Sequence, residues 1–361
     1  MAKRILFSES SDNLGGQELQ LLQQMRGLEQ RGLSVLLLCR EGSRVGAVAR
    51  GQGLETVAVP FRNSLHPASI VAVVRVLRAR RADALISHSG HDANVCAIAA
   101  RLVAGRPLLI RMRTYLPGPP HAWTYNTLAD LTLVPSAEMR RSLLAHPGID
   151  PSRIRVLYPG LDFERIGREA EAGLPARIAA WLACRPGPLL VHAAMLRPEK
   201  GHAMMLTVMA QLVRTHPTLR YVIAGEGELH GKLAESVAAM GLSEHVLIAG
   251  LVPSVAPLYR RADLVLMPST YEPLGMSQSE ALSLGVPVLA SRTGGIPETV
   301  EDHRTGLLVA PGDVSEWSRA LAWALGHPAE MRAMARAGCD FVKARFSMSA
   351  NIDGLLANLN R

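Results

Sequence analysis

The sequence predicts two doubly wound α/β domains, each a parallel sheet with helices on both faces, and three observations carry that prediction. At 361 residues the chain exceeds what one ordinary core serves. Short apolar runs alternate along it with longer amphipathic stretches. The runs are continuous rather than alternating, as strands buried on both faces require. Ligands of such sheets bind outside the carboxyl ends of the strands, so the two domains are expected to face each other across a cleft.

In the first half RILFSE, LSVLLLC, LETVAVP, ADALISH, PLLIRMR, LTLVP and IRVLYP read as strands, with GQELQLLQQMRGLEQRG and PASIVAVVRVLRARR among the helices between them. In the second half PLLVHAAM, LRYVIAG, HVLIAG, ADLVLMPS, VPVLAS and TGLLVAP read as strands. GHAMMLTVMAQLVRTHP and EWSRALAWALGHP are helical by their period. The polar stretch FERIGREAEAGLPARIAAWLACRPG closes on Pro and Gly and marks the boundary. The expected division is 1–165, a linker over 166–187, and 188–330. From about residue 328 helix follows helix with no strand to feed, so 331–361 is expected to pack back on the first domain.

Composition narrows the function. An apolar share of 48% is that of a globular chain. No run is long enough to span a bilayer, and MAKRILFSES lacks the pattern of a signal peptide, which predicts a cytosolic protein. Cys39, Cys96, Cys184 and Cys339 form no CxxC and read as small buried hydrophobes. No histidine pair has metal-ligand spacing. The net charge of +8 is uneven: residues 1–160 hold 20 Lys+Arg against 11 Asp+Glu. An anionic partner and a plain arginine bias explain that excess equally well. An aromatic content of 4% offers little for base stacking, so nucleic acid is not expected.

The strand ends hold the candidates. Gly15-Gly16 opens a helix, where backbone amides approach a phosphate or a tight turn simply needs glycine. His88 and His91 follow ADALIS, as ligand contacts or as structural histidines. Arg111 and Arg113 alternate with Met112, so both point to one side, and burial of both would be expensive. Arg197 and Lys200 lie just before a helix, where cation and dipole together suit a diphosphate. Gly225, in AGEGE, follows the next strand.

Glu272 hangs from the loop after ADLVLMPS, the amides of Gly275 and Met276 open the following helix, and Glu280 follows Glu272 with seven residues between them. A carboxylate is a good acceptor for paired sugar hydroxyls. Ser277-x-x-Glu280 is equally a capping box. RTGG, with Gly294, ends the next strand. The dull account of Glu280 does not explain why RPEKG, AGEG and RTGG arrive at neighbouring strand ends.

RPEKG, AGEGE, EPLGMSQSEA, GVPV, TGGIPE and TGLLV together resemble the retaining glycosyltransferase family 4 of the GT-B fold. YPGLD resembles its NG-x-D segment, with Pro159 in place of Asn. The resemblance implies that Glu272 lies by the donor sugar, that Glu280 holds the nucleotide ribose and that Lys200 neutralises the diphosphate. It places Gly15 and Gly16 in the first-domain phosphate loop. Two positions depart from the family: Met195 stands where Arg is usual, with Arg197 two residues on, and Arg113 aligns with the family histidine. Arginine cannot act as a base.

The implied activity is metal-independent, retaining hexosyl transfer from a nucleoside-diphosphate sugar to a glycan or lipid-linked acceptor. The expected setting is bacterial cell-envelope polysaccharide or lipopolysaccharide synthesis, and no cofactor is implied. Arg26, Arg31, Arg75, Arg78, Arg80 and Arg81 are candidates to meet an anionic inner membrane surface. The alternatives are a non-catalytic nucleotide-sugar-binding protein or a GT-B-fold nucleotide-sugar epimerase.

Overall fold

The computed structural model describes residues 3–12, 14–88, 90–115, 118 and 120–360. They fall into two units, Met1–Gly160 with Met348–Arg361, and Leu161–Ser347.

The first unit holds β1 (Arg4–Glu9), β2 (Ser34–Cys39), β3 (Thr56–Ala58), β4 (Ala84–Ser87), β5 (Leu108–Met112), β6 (Leu131–Val134) and β7 (Ile154–Val156). All neighbours pair in parallel, in the order β3-β2-β1-β4-β5-β6-β7. The helices between them are α1 (Gly16–Gln30), α2 (Arg44–Gly51), α3 (Pro67–Arg80), α4 (Gly90–Arg101), α5 (Ala122–Thr127) and α6 (Ala137–Leu144).

Alternate strand residues point to opposite faces, and here both faces are apolar. Ile5, Phe7, Leu37 and Ile86 share a core with Leu21, Met25 and Leu28 of α1. Leu6, Leu36, Leu38 and Leu85 share another with Val73 and Leu77 of α3 and Val95 of α4. That double burial is why the strands read as unbroken apolar runs.

In the second unit α7 (Phe163–Ala170) and α8 (Ala176–Ala183) precede β8 (Leu189–Ala193), β9 (Arg220–Ala224), β10 (Val246–Gly250), β11 (Leu264–Met267), β12 (Val288–Ser291) and β13 (Leu307–Val309). The sheet is parallel throughout, ordered β10-β9-β8-β11-β12-β13. Its helices are α9 (His202–Leu212), α10 (His230–Ala239), α11 (Ala256–Tyr259), α12 (Ser277–Ser283), α13 (Val314–Gly326) and α14 (Pro328–Arg345).

The stretch expected as a linker belongs to this unit, because α7 lays Ile166 and Ala170 against Ala256 of α11, beside Met276 and Leu284. The tail also divides later than expected. Helix α14 stays with the second unit: Gly338 lies so close to Leu282 that a Cβ there would come within 2.6 Å of its side chain. Only α15 (Met348–Leu359) joins the first unit, where Ile352, Leu355 and Leu359 complete the α1 core. Each such side chain stabilises by roughly 2 kcal/mol when buried. Gln24 Nε2 donates to Asn351 Oδ1 (3.0 Å), and Lys3 Nζ to the Leu359 carbonyl (2.8 Å). Of the four free cysteines Cys39 and Cys96 are buried, whereas Cys184 is exposed, against the expectation for it.

Candidate active site

In the second unit the loops that follow β8, β9, β11 and β12 are stitched to one another. The Thr270 amide donates to the Glu199 carbonyl (2.8 Å), and the Gly295 amide to the Glu272 carbonyl (3.0 Å). Two glycines permit this closeness. Gly225 has φ +149°, and a Cβ there would lie 2.0 Å from the Ala194 carbonyl oxygen; Gly294 has φ +51°, and its Cβ would lie 1.9 Å from the Glu272 carbonyl oxygen. Both expected site glycines thus shape the loops that carry the charged residues.

The stitching brings Lys200 and Glu272 together. Lys200 Nζ donates to Glu272 Oε2 at 2.5 Å, with the two side chains only 17% and 10% exposed. Ser269 Oγ donates to the same oxygen at 3.3 Å. A charge-assisted bond in so little solvent is much stronger than a surface pair. Arg197 stands apart: it is exposed, and its guanidinium has no partner among the described residues. Met195, in the position where the resembled family has Arg, is exposed as well.

Beneath this loop lie two buried histidines, stacked with ring centroids 4.0 Å apart. His202 Nε2 donates to the Met195 carbonyl (3.1 Å), and His192 Nδ1 bonds the Tyr221 hydroxyl (2.8 Å). Burial chiefly, with Lys200 adding to it, lowers His202 to about 4 and holds His192 well below the usual histidine range. Both are neutral at pH 7.

The capping-box reading of Ser277-x-x-Glu280 does not describe α12. Its N-cap is Met276 with no side-chain cap, and Ser277 Oγ donates instead to the Ala193 carbonyl (2.9 Å). The amides of Gly275 and Met276 have no acceptor among the described residues. The Glu280 carboxylate likewise receives no hydrogen bond there, and burial raises its pKa, with Arg165 opposing and Glu169 reinforcing. A largely buried acceptor and two open donors therefore lie within five residues of one another.

The strand ends of the first unit carry different chemistry. Gly15 and Gly16 are exposed at the start of α1, but the Gly15 amide already donates to Glu18 Oε2 (2.8 Å); only that of Gly16 is open among the described residues. His88 is buried against the Phe7 ring, and burial lowers it to about 3. Neither ring nitrogen has a hydrogen-bond partner among the described residues. His91 is exposed on α4 and bonds Ser64 (2.9 Å). Arg111 lies 5.6 Å over the Tyr125 ring, and burial together with the charge of Arg113 lowers its pKa.

Two acids that the sequence reading passed over lie here. Glu9, the last residue of β1, accepts from the Ser11 amide (2.7 Å) and Gln17 Nε2 (2.9 Å). Asp92 Oδ2 accepts from Ser8 Oγ (2.5 Å). Burial, then the neighbouring charge of Asp92, raises Glu9 to about 7. The available signal was a carboxylate closing an otherwise apolar strand.

Of the six arginines considered for a membrane surface, three are already paired: Arg26 with Glu29 (3.6 Å), Arg31 with Asp353 (2.6 Å) and Arg80 with Glu55. Arg78 donates to the Leu102 carbonyl (3.1 Å). Arg75 and Arg81 are exposed with no side-chain partner among the described residues. No helix among the described residues is long and apolar enough to cross a membrane.

Comparison with known proteins agrees with this architecture. Residues 14–165 match the family described as Glycosyltransferase Family 4, and residues 183–339 the one described as Glycosyl transferases group 1. A D-inositol 3-phosphate glycosyltransferase of Segniliparus rotundus is 34% identical over 216 residues, covering 58% of this chain and 47% of its own. That of Nocardia farcinica is 34% identical over 238 residues, covering 63% and 52%. The chain thus spans about half the length of these curated relatives.

Among solved structures, a glycosyltransferase from Rickettsia africae superposes with a TM-score of 0.86 at 16% identity, covering 99% of this chain and 98% of that one. Anabaena Alr3699/HepE, crystallised with UDP and glucose, gives 0.83 at 20% identity, covering 99% of both chains. At these identities the likeness is one of fold. The two parallel-sheet units are those of the GT-B fold, and each half of the chain matches a glycosyltransferase family model, the first resembling family 4.

Proposed function

We propose that the protein transfers a sugar from a nucleoside-diphosphate sugar to a hydroxyl of an anionic acceptor, with retention at the anomeric carbon and with lysine rather than a metal facing the diphosphate. The observation that carries this reading is the Lys200–Glu272 pair beside the open amides of Gly275 and Met276. A diphosphate draws the Lys200 ammonium from Glu272 and accepts the two amides, which stabilises the charge that develops as it leaves. Glu272, released, accepts hydroxyls of the donor sugar, and Glu280 accepts those of the ribose. Arg197 is free to swing onto the phosphates.

In the transfer the bond from the anomeric carbon to the phosphate oxygen breaks. The bond to the acceptor oxygen forms on the same face, and the acceptor proton passes to the departing phosphate. Arg113 takes no proton in this scheme, and its charge, with that of Arg111, suits the acceptor's anionic group. The curated relatives are named for D-inositol 3-phosphate, which favours a phosphorylated polyol as acceptor. A lipid-linked or cell-envelope glycan, including lipopolysaccharide, is the next candidate. Peripheral attachment at the inner face of the cell membrane would accompany that acceptor, and flotation with anionic vesicles tests it.

Met195 and Arg113, in place of the family's Arg and His, favour one second reading, a protein that binds nucleotide sugars without turnover. A nucleotide-sugar epimerase would consume donor with no acceptor present. A thermal-shift panel of UDP, GDP, ADP and their sugar conjugates, on wild type and Lys200→Ala, decides the first step. One base is expected to raise the melting temperature, with the shift reduced in the variant. No response to any nucleotide would overturn the donor site. Binding without transfer to inositol phosphates or envelope glycans would favour the second reading.

A further inference from the structure

We propose that Arg165 and Glu169, one turn apart on α7, are positioning residues that set the charge of Glu280 and thereby its grip on the donor ribose. This rests on the reading above that Glu280 receives the ribose hydroxyls. None of the motifs quoted for the family resemblance lies on α7; Arg165 is the last residue of the first matched segment, and Glu169 lies in the stretch between the two.

The geometry is that of a charged shelf behind Glu280. Phe163 and Ile166 share an apolar cluster with Met276 and Leu284, four residues either side of Glu280 on the same face of α12, so α7 packs along the face that carries Glu280, with Arg165 and Glu169 flanking the contact. Arg165 Nη1 donates to Glu169 Oε1 (3.0 Å), and Ser254 Oγ donates to Glu169 Oε2 (2.6 Å). The Arg165 amide is fixed by Asp162 Oδ1 (2.9 Å). Among the described residues Arg165 Nε is buried with no acceptor, and the Glu280 carboxylate has no donor. An unspent donor and an unspent acceptor thus lie within electrostatic reach of each other, with room in their hydrogen bonding for a third party.

The other elements around Glu280 bring no competing charge. Helix α11 presents Tyr259, whose hydroxyl burial keeps neutral. Helix α14 presents Gly338 to Leu282, and Cys339, whose thiol donates to the Ser283 carbonyl (3.3 Å). The strands β11 and β12 are apolar where they meet α12. Arg165 and Glu169 are therefore the two charges that decide the state of Glu280, and they act in opposite senses.

That state matters chemically. An ionised carboxylate accepts from both hydroxyls of a ribose, whereas the protonated acid offers one acceptor fewer and presents a donor of its own. Recognition of the ribose should accordingly fall as pH falls through the pKa of Glu280. Removing Arg165 moves that fall to higher pH, and removing the charge of Glu169 moves it to lower pH.

The experiment is calorimetric titration of the full chain with UDP, GDP and ADP, each against its 2′-deoxy counterpart, from pH 5 to pH 9. The readout is the affinity ratio of ribose to deoxyribose, because general damage to the fold weakens both ligands alike. In wild type the ratio is expected to fall toward acid. Arg165→Met should raise the midpoint of that fall by about one pH unit. Arg165→Lys should restore the wild-type midpoint, and Glu169→Gln should lower it.

Midpoints that stay put in both variants, or that move in the same direction, overturn the proposal. A ratio near one in wild type, or a ratio untouched by Glu280→Gln, overturns the ribose role of Glu280 itself. A ratio lost in Glu280→Gln with midpoints unmoved by the α7 variants overturns only the part assigned to Arg165 and Glu169.

Discussion

At the carboxyl end of β11 a buried glutamate meets a lysine; at the carboxyl end of β1 a buried glutamate meets an aspartate. The two positions are alike in fold, one the last residue of an interior parallel strand and the other in the loop that follows one, yet their neighbours differ in sign. Glu272 is paired with the Lys200 ammonium, which in the proposed reading leaves it for an incoming diphosphate. Among the described residues Glu9 has no cation to match it, and burial together with Asp92 drives it toward the neutral acid. A strand end in this fold therefore holds an ion pair or a proton according to the sign of one neighbour.

The sharpest way to break this comparison is to remove one partner of the matched pair. Lys200→Met leaves Glu272 buried without its cation, and Glu272→Gln leaves the ammonium without its anion. Each single change is expected to destabilise the second unit by about 4 kcal/mol, while the double variant recovers most of the loss. Thermal unfolding of the three variants measures it. Single variants that melt with wild type would show that solvent reaches the pair and that the contrast with Glu9 is one of exposure, not of charge.

The second test concerns the like-charged end. Glu9 is raised from an ordinary carboxylate value to about 7, so its contribution to stability is complete at pH 4 and is lost as pH rises through 7. The loss by pH 9 amounts to about 3 kcal/mol. Glu9→Gln, a mimic of the neutral acid, should remove that part of the pH dependence, and Asp92→Asn should reduce it without abolishing it, because burial is the larger cause. Unfolding followed from pH 5 to pH 9 distinguishes these. A wild-type profile that runs parallel to that of Glu9→Gln would mean Glu9 is ionised throughout.

The same contrast explains what could be read in advance. The strands were legible because burial on both faces makes their runs largely apolar, as in LVLM, with no dependence on tertiary detail. Lys200, Glu272 and Glu280 were legible because their spacing sits among glycines that only close loop packing requires. Glu9 and Asp92 are far apart in sequence, and a single acid at the end of a strand has no pattern to betray it. The tail misled for a related reason: α14 and α15 are both amphipathic helices, and nothing in their period tells which sheet each covers. What decides it is the fit of Gly338 to Leu282 and of Ile352 to Gly27, a matter of shape. The capping box at Ser277 failed because the serine found a nearer carbonyl at the end of β8.

The smallest effect should come from beneath the matched pair. His202 holds the Met195 carbonyl and, through it, the loop that ends at Lys200. His202→Ala deletes that one neutral hydrogen bond, worth about 1 kcal/mol, or roughly a fivefold loss of nucleotide affinity if the loop alone is loosened. The acid limb gives an independent check. The folded histidine titrates near 4, against 6.5 for an ordinary one, so its neutral form adds stability above pH 6.5 that disappears as pH falls toward 4. The wild type should therefore lose stability across that window more steeply than His202→Ala, although His192 will retain part of the slope. An affinity loss as large as that of Lys200→Met would place His202 with the ion pair itself. No loss at all would show that Thr270 and Glu199 hold the loop without it, and that Lys200 owes its position to the β11 side alone.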